Sequence, residues 1–335
     1  MQRRGVVTLL LALLALPRPA GAAAELDLTP RPRPGLRLLL DLRRRREVFD
    51  EGRWVEEARS AASGLLAVRR DGEGLLFAWR WLSFGADEAA DGGPADVLRL
   101  RMARLWEEVG FDFRLLPGRG PVLADPAAAQ ASVEAALERA LSDIERELVA
   151  EGRPRGAVET ALAEVRRRFL ETLAGDDRLA HQLLQEPVLV FELAGVRIPE
   201  ETRVAVHEDG RPLDFAPGTD WPMRVEDRVL LRDPESGVVR LRRREEPLRP
   251  LDRRLLLERI PGLAGMWRML PEAKRAEVLA ALPPPFYARE SLIEVDLGGP
   301  RLPRRIRRIE TSGLGTLRRR LSTEVTVDVR DAAAR

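Results

Sequence analysis

Few residues in this chain belong to the types that carry out chemistry. Its 335 residues include no cysteine and only two histidines, His181 and His207. Without cysteine the chain cannot form a disulfide, a thiolate metal site or a cysteine nucleophile. The HExxH zinc motif is also absent, because it needs two histidines four residues apart and His181 and His207 do not have this spacing. We interpret both histidines as structural and predict no metal site, although either one could serve as a catalytic base.

The sequence patterns that mark common enzymes are incomplete. No serine lies in Gly-x-Ser-x-Gly, the turn that presents the nucleophile of α/β-hydrolases. Gly313 and Gly315 begin a GxGxxG pattern, but Arg318 occupies the third glycine position. A strand is predicted to follow these glycines, whereas a dinucleotide site needs a helix there. We therefore predict no cofactor.

Four of the chain's pairs of adjacent acidic residues are further candidates for acid–base chemistry. Hydrolysis of a glycosidic bond needs two carboxylates that face each other about 5–10 Å apart, and sequence neighbours seldom achieve this. We predict that these pairs are solvated. They are Glu107-Glu108, Asp176-Asp177, Glu200-Glu201 and Glu245-Glu246.

An aromatic cluster is the most suggestive local feature. Phe77, Trp79 and Trp81 share one face of a predicted strand, and Leu38 and Leu40 could belong to the same wall. Two interpretations stay open: a core beneath a helical cover, or the lining of a pocket for an apolar ligand. These five residues are our candidate ligand-binding residues.

Arginine runs are frequent, and we interpret them as the solvated faces of strands and helices. The alternative is a patch for an anionic envelope polymer or a lipid headgroup, which arginine binds through its bidentate fork. The runs are Arg43–Arg46, Arg166–Arg168, Arg242–Arg244, Arg304-Arg305, Arg307-Arg308 and Arg318–Arg320.

The net charge argues against a nucleic-acid partner. The chain carries 56 basic and 54 acidic residues, a formal net charge of +2. Three of the arginines and none of the acids lie in residues 1–22. Because the remainder is close to neutral, it lacks the basic surplus that binding to the phosphate backbone of a nucleic acid requires.

The first 22 residues have the three parts of a secretory signal peptide. Met1–Gly5 carries two arginines, Val6–Leu16 is apolar throughout, and Ala20–Ala22 has the small-x-small pattern of a cleavage site. The apolar run is roughly half the ~20 residues that a membrane-spanning helix needs. We predict cleavage after Ala22 or Ala24, no transmembrane span in the mature chain, and a periplasmic or secreted protein.

Strand patterns dominate both ends of the mature chain. Leu36–Leu42 alternates apolar and polar residues with Leu39 as the exception, and Leu321–Val329 alternates most clearly. Asp71–Gly74 separates two apolar runs and predicts a hairpin, and the apolar run Val188–Leu193 is predicted as a further strand. At Asp125 the apolar spacing changes to three and four residues, with Asp125 as helix cap and Pro126 at the first helical position.

Together these patterns predict an α+β protein. We expect a mostly antiparallel, curved β-sheet with a helical-hairpin insert and additional C-terminal helices. The predicted organisation is a signal peptide at 1–22, a proline-rich tether at 23–35 and a single domain at 36–330. Within that domain we place the helical insert at 126–186 and a second helical segment at 250–283.

The order of signal, long antiparallel strands, helical insert and closing hairpin resembles uncharacterised exported bacterial proteins. More distantly, it is similar to the curved-sheet carriers that move lipoproteins or lipids across the periplasm. This resemblance is one of architecture and involves no motif residue. It implies a half-open sheet with helices on its concave side, and it assigns no site.

The function predicted from the sequence is non-catalytic. We expect a periplasmic protein that binds an apolar or amphiphilic envelope ligand such as a lipid. One alternative is an envelope scaffold that meets a periplasmic protein partner through its insert or an arginine face. The other alternative is a hydrolase with an unrecognised site.

Overall fold

A computed structural model of the chain describes residues 24–72, 74–86, 104–116, 120–174, 176–213, 216–259 and 263–331. The predicted signal peptide, 1–22, lies outside the described residues. No helix in the described part of the chain is long and apolar enough to cross a membrane.

The fold is α+β, as predicted, and most of its strands are long. In chain order the strands are β1 (Glu25–Asp27), β2 (Leu36–Asp50), β3 (Arg53–Asp71), β4 (Gly74–Ala86), β5 (Gly110–Leu116), β6 (Gly120–Leu123), β7 (Arg197–Pro199), β8 (Val204–Leu213), β9 (Ala216–Arg232), β10 (Val238–Pro247), β11 (Pro285–Asp296), β12 (Pro303–Leu314) and β13 (Leu317–Asp331).

Eleven of these strands form one antiparallel sheet in the order β6-β5-β4-β3-β2-β13-β12-β11-β10-β9-β8. The strands from β2 to β6 make one meander and those from β8 to β13 make another. The two meanders join where β13 pairs with β2. The sheet is open, with β6 and β8 at its edges. The helical insert follows β6 directly and is connected to β8 through β7, which pairs with β1 in a separate two-stranded sheet.

Three long helices lie between β6 and β7, and three shorter ones precede β11. They are α1 (Pro126–Ala150), α2 (Arg155–Leu173), α3 (Asp176–Leu189), α4 (Arg253–Arg259), α5 (Leu263–Met269) and α6 (Glu272–Ala281). The predicted start of α1 is confirmed, because the Asp125 carboxylate accepts a hydrogen bond of 2.9 Å from the amide of Ala128. We call α1–α3 and the following turn, 190–196, the insert.

The sheet curves strongly around the insert. Helix α3 contacts both β6 and β9, which are separated by nine strand spacings in the sheet. In a flat sheet nine spacings would measure about 43 Å. A helix of 14 residues is only about 21 Å long. The sheet must therefore curl, and the insert occupies its concave side.

The core lies between the inner face of the sheet and the insert. The alternation predicted for β2 is confirmed, since Leu36, Leu38, Leu40 and Leu42 are all buried on this inner face. Apolar side chains of the insert belong to the same core cluster. Those from α1 are Ala129, Val133, Ala136, Leu137, Leu141 and Ile144. Burial of apolar surface thus attaches the insert to the sheet.

The structure corrects one predicted strand. Val188–Leu193 ends α3 and continues into the turn, and Pro187 lies inside the helix. A short apolar run bounded by polar residues is compatible with a buried strand or a buried helix end, and periodicity alone does not distinguish them. This correction places Phe191 and Glu192 in the insert, where both contact the sheet.

The segment expected as a tether, 23–35, differs from a free linker. Glu25–Asp27 forms β1 and pairs with β7, and Leu26 and Leu28 are buried. Arg301 Nη1 also donates to the backbone and side-chain oxygens of Asp27, at 2.9 Å each. Strand pairing, two buried leucines and the ion pair with Arg301 attach this segment to the fold.

Candidate functional site

The five residues predicted to bind a ligand lie together on the inner face of the sheet. Leu38, Leu40, Phe77, Trp79 and Trp81 are each at most 6% exposed. Phe191 of the insert packs edge-on against Phe77, with ring centroids 5.0 Å apart. The insert therefore covers the aromatic cluster, and ligand binding by these residues stays a prediction.

The inner face changes from apolar to charged along the strands. An apolar row crosses five neighbouring strands in register. Its members are Leu42, Val325, Ile306, Ile293 and Leu241. Two residues further along each strand, the same face carries polar side chains. We call this second line the arginine row; its members are Arg44, Thr323, Arg308, Ser291, Arg243 and Asp227.

A third line follows two residues beyond the arginine row. Glu310, Arg289 and Glu245 are cross-strand neighbours on β12, β11 and β10, and all three are buried. Arg289 Nη2 lies 3.1 Å from an oxygen of Glu310, and its Nη1 lies 3.3 Å from an oxygen of Glu245. We refer to this line and the arginine row together as the charged band.

The most buried pair in the band is Arg243 with Asp227. Their side chains are 1% and 0% exposed and are joined by two parallel hydrogen bonds of 2.8 and 2.9 Å. Burial lowers the pKa of Arg243, but the hydrogen bonds and charge of Asp227 more than offset it, so the pKa is raised. Arg243 therefore remains cationic inside the protein.

Two glutamates of the insert pair with arginines of the arginine row. Glu186 Oε1, on α3, lies 2.5 Å from Arg44 Nη2 on β2. Glu192, in the turn after α3, forms an ion pair with Arg308 on β12. The backbone carbonyl of Glu192 also accepts a hydrogen bond of 2.5 Å from Arg243 Nη1. The insert thus meets the sheet through charge as well as through apolar packing.

Arg308 has an unusual electrostatic environment. Burial lowers its pKa to about 10; the negative charge of Glu310 acts against this shift, and the positive charge of Arg44 adds to it. Arg308 is still cationic at neutral pH. The two arginines repel each other, so the carboxylates of the insert stabilise both.

His181 is the histidine that the fold brings to the charged band. Burial, and then the positive charge of Arg289, lower the pKa of His181, while Glu186 and Glu310 act in the opposite direction. The imidazole is therefore neutral at neutral pH. His207 lies exposed on β8, so the two histidines belong to different environments.

Arginine–carboxylate pairing dominates the charged band and its contact with the insert. Each of its three carboxylates, and each of the two insert glutamates, has an arginine partner. Within the described residues, no three His, Cys, Asp or Glu side chains are grouped so as to hold a metal ion.

The charged band is not predicted from the sequence, where the arginine runs and acidic pairs are interpreted as solvated. That interpretation is wrong for Arg44, Arg243 and Arg308, which face inward, and for Glu245, which is 2% exposed. A signal was present. Arg44 continues the alternation that buries Leu38, Leu40 and Leu42, so strand parity alone places it on the inner face.

A groove of about 1020 Å³ lies elsewhere, beside β2, β3 and β4. Small and polar residues dominate its lining, including Ser63, Ser83, Asp41 and Arg43. Ser63 and Ser83 are hydrogen-bonded to each other across β3 and β4, with their hydroxyl oxygens 2.7 Å apart. None of the five predicted ligand-binding residues lines this groove.

Comparison with known proteins gives no family. No protein-family model and no curated protein matches the chain. Among solved structures, an outer membrane channel from Pseudomonas putida F1 aligns over 93% of this chain and 100% of that chain, with 7% identity and a TM-score of 0.21. A TM-score this low carries no argument about fold or function.

Proposed function

We propose that this protein is a non-catalytic protein of the bacterial envelope that binds an amphiphilic ligand between the sheet and the insert. The observation that carries the proposal is the inner face itself. It combines a continuous apolar wall with a charged band, and the layer that covers it is the insert. The insert is connected directly to edge strand β6 and through β7 to edge strand β8.

The proposal requires the insert to separate from the sheet as a unit. Helices α1 and α2 are joined to each other by an ion pair between Glu138 and Arg166. The polar attachments of α3 and its turn to the sheet include the Glu186 and Glu192 ion pairs. An apolar ligand would replace insert side chains such as Phe191 against the aromatic cluster.

Architecture adds support. The resemblance to periplasmic curved-sheet carriers implies a half-open sheet with helices on its concave side, and the open eleven-stranded sheet has this arrangement. The hydrolase alternative has less support, because the carboxylates that converge near His181 are paired with arginines.

The proposal is tested by lipid uptake with the insert free or locked. Ser132 Oγ of α1 lies 3.4 Å from the amide nitrogen of Gly110 on β5, so the insert and the sheet approach each other closely here. We use this pair of positions for an engineered disulfide, and its formation on oxidation is checked by intact mass before lipid uptake is measured. Because the chain has no other cysteine, this bond would be specific.

We expect the delipidated protein to take up dioleoylglycerol or dioleoyl phosphatidic acid from mixed micelles, as measured by native mass spectrometry. In the Gly110→Cys/Ser132→Cys protein, uptake should be lost on oxidation and regained on reduction. The single variant Ser132→Cys is the control and should bind under both conditions. Failure of the unmodified protein to bind either lipid would overturn the proposal.

The envelope location is part of the proposal and has its own test. Processing after Ala22 or Ala24 would leave β1, which begins at Glu25, intact. Processing after Ala22 would also keep the hydrogen bond that Glu200 donates to the carbonyl of Ala24. Intact mass of the protein recovered from the periplasm should give an amino terminus at residue 23 or 25, and an unprocessed chain in the cytoplasm would contradict export.

A further inference from the structure

We propose that the arginine row is the headgroup site for an acidic amphiphile, and that Glu186 and Glu192 of the insert occupy this site when no ligand is bound. The chemical class is a phosphate or carboxylate headgroup carrying long apolar chains. This inference rests on the proposed function and specifies its ligand.

The first argument comes from where each arginine finds its carboxylate. Arg243 pairs with Asp227 on the adjacent strand, and Arg289 pairs with two glutamates of the sheet. Within the described chain, Arg44 and Arg308 form their salt bridges with the insert instead. The sheet thus neutralises two of its four inward-facing arginines and leaves the other two to a separate layer.

The second argument is the set of donors that surrounds these two arginines. Thr323 stands directly between Arg44 and Arg308 in the cross-strand register and is 6% exposed. Ser291 is the neighbour of Arg308 on the other side, with 3.5 Å between its hydroxyl oxygen and Arg308 Nε. Two guanidinium groups with two hydroxyls form a donor set that suits the oxygens of a phosphate or carboxylate.

The third argument is the position of the apolar row. It lies two residues from the arginine row along the same strands, a distance of about 7 Å. Val325 and Ile306, both 0% exposed, are next to Thr323 and Arg308 on that side. A ligand with its headgroup on the arginine row would place its chains along this apolar wall, where the insert now packs.

The site also determines which ligand can replace the insert. If the insert moved away and a neutral lipid entered, Arg44 and Arg308 would remain partly buried without a counterion, which is costly. An acidic headgroup avoids this cost, because its negatively charged oxygens take the place of the Glu186 and Glu192 carboxylates beside the two arginines. The site is therefore expected to discriminate between acidic and neutral amphiphiles that carry the same chains.

The experiment compares dioleoyl phosphatidic acid, dioleoylglycerol and inorganic phosphate as probes of the full delipidated protein. We expect phosphatidic acid to bind at least about tenfold more tightly than dioleoylglycerol, as the loss of charge-assisted hydrogen bonds predicts. Inorganic phosphate should compete only weakly, because it lacks the chains. If phosphate alone binds as tightly as phosphatidic acid, the site is one for a free anion and the inference is wrong.

Variants then assign the preference to these residues. Arg44→Gln/Arg308→Gln should abolish the preference for phosphatidic acid while dioleoylglycerol still binds. Glu186→Gln/Glu192→Gln should bind phosphatidic acid more tightly than the unmodified protein, because the competing carboxylates are gone. Arg307→Gln is the matched control, since Arg307 neighbours Arg308 but is 55% exposed and pairs with Glu324; it should leave the preference unchanged.

A variant that neutralises both members of an ion pair controls for loss of binding caused by misfolding of the protein. Arg44→Gln/Glu186→Gln leaves no unpaired charge behind and should still lower the preference for phosphatidic acid. Equal binding of the two lipids by the unmodified protein, or an unchanged preference in the arginine variants, would overturn this inference and leave the proposed function standing. If neither lipid binds, the proposed function fails and the inference fails with it.

Discussion

The indole of Trp79 lies over Gly64 on the neighbouring strand, so closely that a Cβ added at position 64 would fall 2.4 Å from Cζ2 of Trp79. The sheet is irregular at this point, because the register shifts between Ser63 and Gly64. The ring of Trp79 also packs edge-on against Trp81, with ring centroids 5.1 Å apart, and this contact restricts its movement away from Gly64. Glycine at position 64 is thus a requirement of aromatic packing on the inner face.

This contact predicts that Gly64→Ala destabilises the protein by about 1–3 kcal/mol through overpacking of the core. Urea denaturation followed by tryptophan fluorescence measures the change. Gly85→Ala is the matched control on the same sheet, because its added Cβ would lie an ordinary 3.6 Å from the carbonyl of Ala61. Equal stability of the two variants would contradict the packing described here.

Truncation of the aromatic cluster should be more costly. Trp79→Ala and Trp81→Ala each remove a buried indole and are expected to lower the free energy of unfolding by about 3–5 kcal/mol. Leu82→Ala, at a position that is 42% exposed, should change it by less than about 0.5 kcal/mol. The measurement uses delipidated protein, so that bound lipid does not contribute to stability.

The same variants bear on the ligand. If Trp79→Ala and Trp81→Ala lose stability as a cavity predicts and no lipid binds to any form of the protein, the cluster is core alone. Weaker lipid binding by these variants than by Leu82→Ala would instead indicate that the aromatic wall contacts the ligand.

Strand alternation made much of the sheet predictable from the sequence. Leu36–Leu42 and Leu321–Val329 alternate clearly, and these two segments pair where the two meanders join. Local patterns could not predict that pairing, because it joins residues from opposite ends of the chain. The signals at Asp125 and Pro126 predicted the start of α1 correctly, since capping is a local interaction between residues close in sequence.

The charged band was harder to predict because its energetics are not local. Arg243 follows Leu241 in strand parity, but its burial depends on Asp227 from another strand and on the carbonyl of Glu192. Strand alternation in a sequence indicates that an arginine can face inward. It does not indicate whether a carboxylate or carbonyl from elsewhere in the chain pairs with that arginine. Similarly, the contacts of Phe191 with Phe77 and of Glu192 with Arg308 depend on the curvature of the sheet around the turn after α3.

The buried pair Arg243–Asp227 gives a third prediction. Asp227→Asn leaves the Arg243 charge without its counterion inside the protein and should destabilise it by about 3–5 kcal/mol. Asp328→Asn is the surface counterpart, because Asp328 pairs with Arg330 while both side chains are more than half exposed. That change should cost less than about 1 kcal/mol. Chemical denaturation of both variants at the same pH and salt concentration provides the comparison, and similar losses would show that the inner pair is more solvated than its burial indicates.

The position of His181 predicts how stability responds to mild acid. The folded protein holds the pKa of His181 below the ordinary value of 6.5, through burial and then the charge of Arg289, against the opposing charges of Glu186 and Glu310. The unfolded chain therefore takes up a proton at this residue at a higher pH than the folded protein does, so stability falls as pH drops below about 7. His181→Gln removes this contribution, and its free energy of unfolding should decline less between pH 7.5 and 5.5 than that of the unmodified protein. His207→Gln alters the exposed histidine and serves as the control. Parallel declines in the unmodified protein and His181→Gln would mean that another group governs the response.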